Sequence, residues 1–431
     1  MRLLLAMLAA ALAAIAPAAA PTAGPLVLER VVLVQRHGVR PPVVSNEALA
    51  KYADKPWPGW PVPTGELTPH GGEVVRLMGE TLRRTYVGDG LLEASGCPKP
   101  GEVQVWADGT DQRTRRSGEI LAQTLAPGCG VRTGWAPPDP RDPIFGGNGA
   151  AACRVDPAAA RTAILSRAGP GGLATPAARQ ALARLQAILA PSACAGGAGT
   201  CFAGEDTVEA GGYAGVKITG PIAETSSLAE NLLLEYAEGM APTDVAWGRA
   251  GAQDIDAVMP VHERNFFLIL KTPYIASRFG APMAKLILTA LDGRAGAASG
   301  PPLGPKAKIV ALAGHDSNLA FIGAVFGLDW ALPGQPDSTA PAATLAFELW
   351  RDPATGARYV KPAVYYETLA QMRALAPRQA VRLPLRFDGC SGPAGACTLA
   401  ELRRRAASTI PAGCGEPAAL ADRLAAPAAK P

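Results

Sequence analysis

Residues Val31 to Pro42 read VVLVQRHGVRPP. The run Val31-Val32-Leu33-Val34-Gln35 is apolar and mostly β-branched, the pattern of a strand covered on both faces. It ends abruptly in Arg36-His37-Gly38-Val39-Arg40, and Pro41-Pro42 follow. Arginines on both sides repel the protonated form of an imidazole. Such a turn makes sense beside an anion or as a solvated loop.

Two further segments follow the same order of apolar strand, polar turn and helix. Glu102–Ala107, EVQVWA, leads into DGTDQRTR, where Thr110 or Asp111 can cap the helix that runs to Leu125. Lys308–Ala313, KIVALA, leads into Gly314-His315-Asp316-Ser317-Asn318. In open α/β sheets ligands bind beyond the carboxyl ends of the strands. If these three strands lie parallel, their turns meet, and one pocket holds Arg36, His37, Arg40, Arg113, His315 and Asp316.

Each of these residues suits phosphoryl chemistry. Arginine offers planar, paired donors matched to phosphate oxygens, and catalysis of phosphoryl transfer is mostly positioning and charge stabilisation. Arg113 falls in the first turn of its helix, where the dipole also favours an anion. The neighbouring arginines disfavour protonated His37 and leave a neutral nucleophile, able to form a covalent intermediate. Asp316 can protonate the leaving oxygen and then assist water, and this need for a protonated carboxyl implies an acidic optimum.

Singly, each element has a plainer explanation. Arg-His-Gly suits a solvated strand end, His315-Asp316 a helix cap, and Arg113 a basic face shared with Arg115 and Arg116. Together, at three strand ends, they point to a site. His70, at a helix start, reads as exposed. His262, in PVHERNFF, reads equally as a packed histidine or a ligand.

Around these segments, Val75, Met78, Leu82 and Tyr86 share one face of a helix after Thr68. Thr344–Trp350 and Tyr359–Thr368 read as late strands. Between about Pro157 and Ala281 helical periods dominate, as in Thr175–Leu189 and Ser226–Met240, so this interval reads as a helical insertion in an α/β domain. The implied division is 25–156 with 282–420 for the α/β domain and 157–281 for the insertion. Gly415–Pro431, rich in Ala and Pro, reads as a fraying end.

The chain has 431 residues, 48% of them hydrophobic, and a net charge of +4. That gives no electrostatic case for nucleic acid as a partner. Residues 1–20, with Arg2, the apolar Leu3–Ile15 and small residues after Pro17, read as a secretory signal peptide, too short for a membrane anchor. Eight cysteines, an even count in an exported chain, argue for four disulfides, and no pair shows the two-residue spacing of a zinc site. No metal and no cofactor is implied.

The two polar turns resemble the signatures of the histidine acid phosphatases, with RHGVRPP at Arg36–Pro42 and GHDSN at Gly314–Asn318. WPVPTGELTPHGG (Trp60–Gly72), DQRTR (Asp111–Arg115), ILSRAG (Ile164–Gly169) and LPGQPD (Leu332–Asp337) support the likeness, which is greatest to the bacterial periplasmic phytase and glucose-1-phosphatase group. The resemblance implies a three-layer α/β sandwich with a mixed central sheet and a mostly helical cap. It implies His37 as nucleophile, Asp316 as proton donor, and Arg36, Arg40, Arg113 and His315 as phosphate ligands. It places Glu230 and His262 on the substrate from the helical side, and Ser317, after Asp316, is a further substrate-binding candidate. It pairs Cys97 with Cys129, Cys153 with Cys414, Cys194 with Cys201 and Cys390 with Cys397.

The expected protein is a monomeric, periplasmic or secreted phosphomonoesterase acting on a small phosphorylated substrate. The alternatives are a sugar-phosphate binding protein without turnover and a mutase of the same superfamily. Val43-Val44 stand where such phytases usually carry Thr-Lys, and Asp316-Ser317 where they read Asp-Thr. The turn before Arg113 is also one residue longer. These departures lie on the substrate side and count against a strong preference for phytate, with Arg278 a candidate to restore rim charge.

Overall fold

The computed structural model describes residues 25–138, 142–146, 153–212, 214–293, 305–376, 380–390 and 392–415. The expected signal peptide and most of the Ala/Pro-rich C-terminus lie outside them. Among the described residues there are ten strands: β1 Val27–Arg36, β2 Val103–Ala107, β3 Thr133–Trp135, β4 Thr207–Ala210, β5 Val216–Thr219, β6 Ile309–Gly314, β7 Thr344–Arg351, β8 Arg358–Tyr366, β9 Val381–Pro384 and β10 Cys397–Thr398. Eight form one mixed sheet in the order β10-β8-β7-β1-β6-β2-β3, with β9 also paired to β8.

The three strands singled out in the sequence are adjacent and parallel. Arg36 is in register with Gly314, and Ala107 with Ala313, so β1, β2 and β6 end at one level. On its other side β1 pairs antiparallel with β7, Gln35 opposite Thr344. Val31 to Val34 are fully buried, as a strand between two neighbours requires.

Helices surround the sheet, as expected of the α/β class. Gln112–Leu125 packs on β2 and β6, and Pro69–Gly88 packs on that helix; Ala281–Asp292 and Asp316–Phe326 pack on β1. Pro69–Gly88 starts at Thr68, whose hydroxyl caps Gly71 N–H. At this start the RHGV turn lies directly against the helix. A Cβ on Gly71 would overlap the Val39 carbonyl, and one on Gly38 would overlap the Gly71 carbonyl. Two glycines thus permit a backbone-to-backbone approach that seats the turn.

Between residues 157 and 281 the chain forms the helices Pro157–Ala168, Pro176–Leu189, Pro221–Ala237, Ala252–Ile269 and Pro273–Phe279. Pro221–Ala237 and Pro176–Leu189 both pack on Ala252–Ile269. The β4–β5 hairpin, which the sequence reading missed, is also in this interval. Its strands are four residues each, flanked by glycines, and too short to stand out against helical periods.

Disulfides join Cys97 to Cys129, Cys194 to Cys201 and Cys390 to Cys397. The fourth expected pair differs: Cys153 and Cys414 are buried thiols that interact without a covalent bond. Among the described residues, no helix is long and apolar enough to cross a membrane.

Candidate active site

His37 follows the last residue of β1 and is buried. Its backbone is fixed on both sides: its N–H donates to the Gly314 carbonyl at 2.9 Å, and its carbonyl accepts from Ala342 N–H at 3.0 Å. The ring Nδ1 lies 2.8 Å from the Gly38 carbonyl. A carbonyl only accepts, so Nδ1 carries the proton and the neutral ring keeps its lone pair on Nε2. Burial, and then Arg113, Arg40, Arg36 and His315, hold the imidazole well below its usual protonation range. The sequence reading named the arginines; burial is the larger cause.

Arg36 is fully buried and has three carboxylates around it. Nη1 donates to Asp337 Oδ2 at 2.6 Å and to the Thr339 carbonyl at 2.8 Å. Nη2 is paired with Glu230 and lies 3.3 Å from Asp316 Oδ2. Arg40 Nη2 lies 3.4 Å from both Glu230 oxygens, and its Nη1 donates to the Pro41 carbonyl. Arg113 forms a two-point pair with Asp111 at 3.0 and 3.1 Å and also donates to the Gly65 carbonyl. The helix start was read as capped by Thr110 or Asp111. Asp111 does occupy the cap position, but its carboxylate turns to Arg113 and makes no cap bond.

The three arginines share one feature. In each, Nε is buried and has no partner among the described residues. A buried donor left unpaired is costly, by roughly 1–3 kcal/mol or more for a charged group. Three such donors around a neutral imidazole form a cradle suited to an anion.

His315 caps the helix Asp316–Phe326, its backbone N–H bonded to Asn318 Oδ1 at 2.9 Å. Its ring stands edge-on to His37, centroids 5.7 Å apart. Its Nε2 lies 2.9 Å from Asp108 Oδ2. Asp316, one residue on, is partly exposed and accepts from Ser317 N–H. Ser317 sits in the same first helical turn, half-buried.

Glu230 reaches the pocket from the helix Pro221–Ala237. Burial would raise its carboxyl, but Arg40 and Arg36, with His262, outweigh that and lower it to about 2. His262, on Ala252–Ile269, is buried against Phe266, with Nδ1 3.1 Å from the Ser226 carbonyl. Its Nε2 has no partner among the described residues. His70 is half-buried and bonded to the Met372 carbonyl. Arg278 lies over the Tyr274 ring and donates to the Tyr274 carbonyl. Val43 and Val44 are 58% and 45% exposed, and Val43 lies against Gly65, whose carbonyl takes Arg113.

Asp108 and Asp337 were not singled out by the sequence, and Asp111 only as a helix cap. Their signal was indirect: buried arginines and histidines require counter-charges, and each acid lies in a turn already quoted, DGTD or LPGQPD. Asp108, Asp111 and His315 bring ligand atoms within 4.8 Å of one another, close enough for a cation. The same acids are engaged with His315 and Arg113.

The model of the histidine phosphatase superfamily, branch 2, matches residues 27–189 and 227–364. Phytase AppA of Escherichia coli K12 is 34% identical over 398 residues, 87% of this chain and 90% of its own. A glucose-1-phosphatase of Providencia rettgeri is 29% identical over 356 residues, 81% of this chain and 82% of its own. Among solved structures, Hafnia alvei phytase in complex with myo-inositol hexakis sulphate superposes with a TM-score of 0.82 at 35% identity. It covers 92% of this chain and 100% of its own.

Proposed function

This chain belongs to branch 2 of the histidine phosphatase superfamily and is a hydrolase of that family; on that premise we propose that it hydrolyses phosphomonoesters, phytate and sugar phosphates among them, through a phosphohistidine at His37. The observation that carries this reading is the set of three Nε–H donors with no partner among the described residues, on Arg36, Arg40 and Arg113, around a neutral buried His37.

His37 Nε2 attacks phosphorus, and the bond from phosphorus to the ester oxygen breaks. The leaving oxygen takes its proton from Asp316. Asp316 then removes a proton from water as the water oxygen attacks phosphorus, and the N–P bond breaks to release phosphate. Asp316 ends protonated, as it began. Arg36, Arg40, Arg113 and His315 bear the charge on the phosphoryl oxygens. Glu230 and His262 meet the rest of the substrate from the helical segment 157–281, which serves as a cap. The need for a protonated Asp316 favours acidic conditions. The signal-like residues 1–20 and the disulfides support export, to the periplasm or beyond.

Phosphate release from 4-nitrophenyl phosphate, glucose 1-phosphate and phytate, in acid with chelator present, tests this reading. His37→Ala should abolish both turnover and acid-quenched labelling of the protein by 32P substrate. Asp316→Asn should slow glucose 1-phosphate more than the aryl ester, whose leaving group needs less protonation. Full activity in His37→Ala would overturn the mechanism.

A further inference from the structure

The stretch LPGQPD, Leu332–Asp337, has no part in the function proposed above, yet it ends in a fully buried acid paired with Arg36. Asp337 Oδ2 and the Thr339 carbonyl both accept from Arg36 Nη1, at 2.6 and 2.8 Å. That nitrogen carries two hydrogens, and both are used. The other Asp337 oxygen accepts from Thr339 N–H and Oγ1–H at 2.8 and 3.0 Å, closing the three residues into a rigid turn. Arg36 Nη2 faces Glu230 and Asp316. Nε is left as the one Arg36 nitrogen without a partner among the described residues.

Ser338, between the two holding residues, is gripped from outside. Its N–H donates to Glu263 Oε1 at 2.8 Å, its carbonyl accepts from Trp330 Nε1 at 2.7 Å, and Lys271 Nζ lies 3.4 Å from its hydroxyl. Glu263 is on the helix Ala252–Ile269, and Lys271 follows it. Burying a carboxylate this deeply is costly unless its cation is held in good geometry. Among the described residues Arg36 is the only cation paired with Asp337.

We propose that Asp337 is a positioning residue: together with Thr339 it holds Arg36 by Nη1 and keeps Nε–H available to the phosphoryl group, and Ser338 ties that hold to Glu263 and Lys271 of the helical segment. This rests on the reading of the pocket as a phosphate site.

The test uses the full chain, with inorganic phosphate as probe in calorimetry and 4-nitrophenyl phosphate for kcat/KM. Asp337→Asn should weaken phosphate binding about 10- to 100-fold, the loss of a hydrogen bond to a charged group, and lower kcat/KM in parallel. In an Arg36→Lys background the same substitution should change phosphate binding less than about twofold, because its effect runs through the guanidinium. A purely structural acid would cost the same in both backgrounds, and that result overturns the proposal. Thr339→Val removes the hydroxyl bond and keeps the ion pair, so it reports even where Asp337→Asn fails to fold. It should weaken phosphate about two- to fivefold, the range for one neutral hydrogen bond. Unchanged phosphate affinity in Thr339→Val together with equal losses in the two Asp337→Asn backgrounds, or unchanged affinity in both single variants, overturns the proposal. A wild type that turns over the aryl ester without measurable phosphate binding overturns it too. A wild type that does neither overturns the reading of the pocket itself.

Discussion

His315 donates its Nε2–H to Asp108 Oδ2 at 2.9 Å, across the ends of two adjacent parallel strands. The carboxylate can only accept, which assigns the donor. A phosphate oxygen also only accepts, so a His315 that binds phosphate must donate from Nδ1 as well. That form is an imidazolium, and the fully buried Asp108 is the counter-charge it requires. Asp108→Asn should lower kcat/KM about 10- to 100-fold, as expected for one charged hydrogen bond. A kcat/KM that stays within about twofold of wild type would show that His315 does not depend on Asp108.

Two apolar side chains, Val43 and Val44, stand in water, Val43 against Gly65, whose carbonyl takes Arg113. Phytate carries several phosphates on one ring, so affinity for it grows with cations beyond the central pocket. One exposed charge contact is worth up to about 1 kcal/mol. Val44→Lys should therefore raise kcat/KM on phytate by a factor of a few while leaving glucose 1-phosphate nearly unchanged. A ratio of the two that does not move would show that the rim does not touch the polyanion. A wild type that already prefers phytate about a hundredfold exceeds what one or two such contacts supply, and would count against this reading.

Stability should fall as pH rises from acid. Burial raises the carboxyls of Glu235 and Glu367 to about 8 and that of Glu238 to about 7. Each binds a proton in the folded state that it has lost in the unfolded chain, so its contribution is full below the ordinary carboxyl range and lost as pH climbs through 7 to 8. His37 acts in the opposite sense. Held neutral by burial and its arginines, it costs stability below about pH 6.5, where the unfolded chain takes up a proton. Three carboxyls outweigh one imidazole. Glu230, lowered to about 2, loses its support progressively as pH falls from the ordinary carboxyl range towards 2. Thermal unfolding should thus show a higher Tm near pH 5 than near pH 8, both values approximate; the reverse order would refute the burial of these acids.

Burial, with Cys414 beside it, pushes the Cys153 thiol up to about 12. The two thiols are placed to form the fourth bridge when oxidant reaches them. We expect no titratable thiol in denaturant after oxidative folding, and a clear drop in Tm for Cys153→Ser. A bridge closing so long a loop is worth roughly 3–5 kcal/mol in the chain-entropy model. Two thiols per chain after such folding would show that the pair stays reduced.

The parallel strands and their turns were legible in the sequence because a strand covered on both faces and a sudden cluster of Arg, His and Asp leave a local signature. Arg36, His37, Arg113, His315 and Asp316 all announce themselves in this way. Asp108 and Asp337 do not. An acid in a turn looks solvated, and only the sheet order, which brings β6 beside β2 and the 337–339 turn under Arg36, reveals it as buried. The β4–β5 hairpin escaped for a different reason, since two four-residue strands cannot outweigh helical periodicity around them. The stacking of Arg278 on Tyr274 depends on local helix geometry and leaves no mark in the sequence.

The sheet order also bears on how the chain is made. β1 lies between β6 and β7, and Gln35 meets Thr344, 309 positions away. During synthesis from the N-terminus, the strand bearing the nucleophile is made first and acquires neighbours only when the last third of the chain arrives. Until then it is an apolar ribbon with two open edges, prone to pairing with the wrong chain. Closure of so distant a contact is slow. The part of the molecule on which turnover depends is thus the part that waits longest for its partners, and the appearance of activity marks the end of folding.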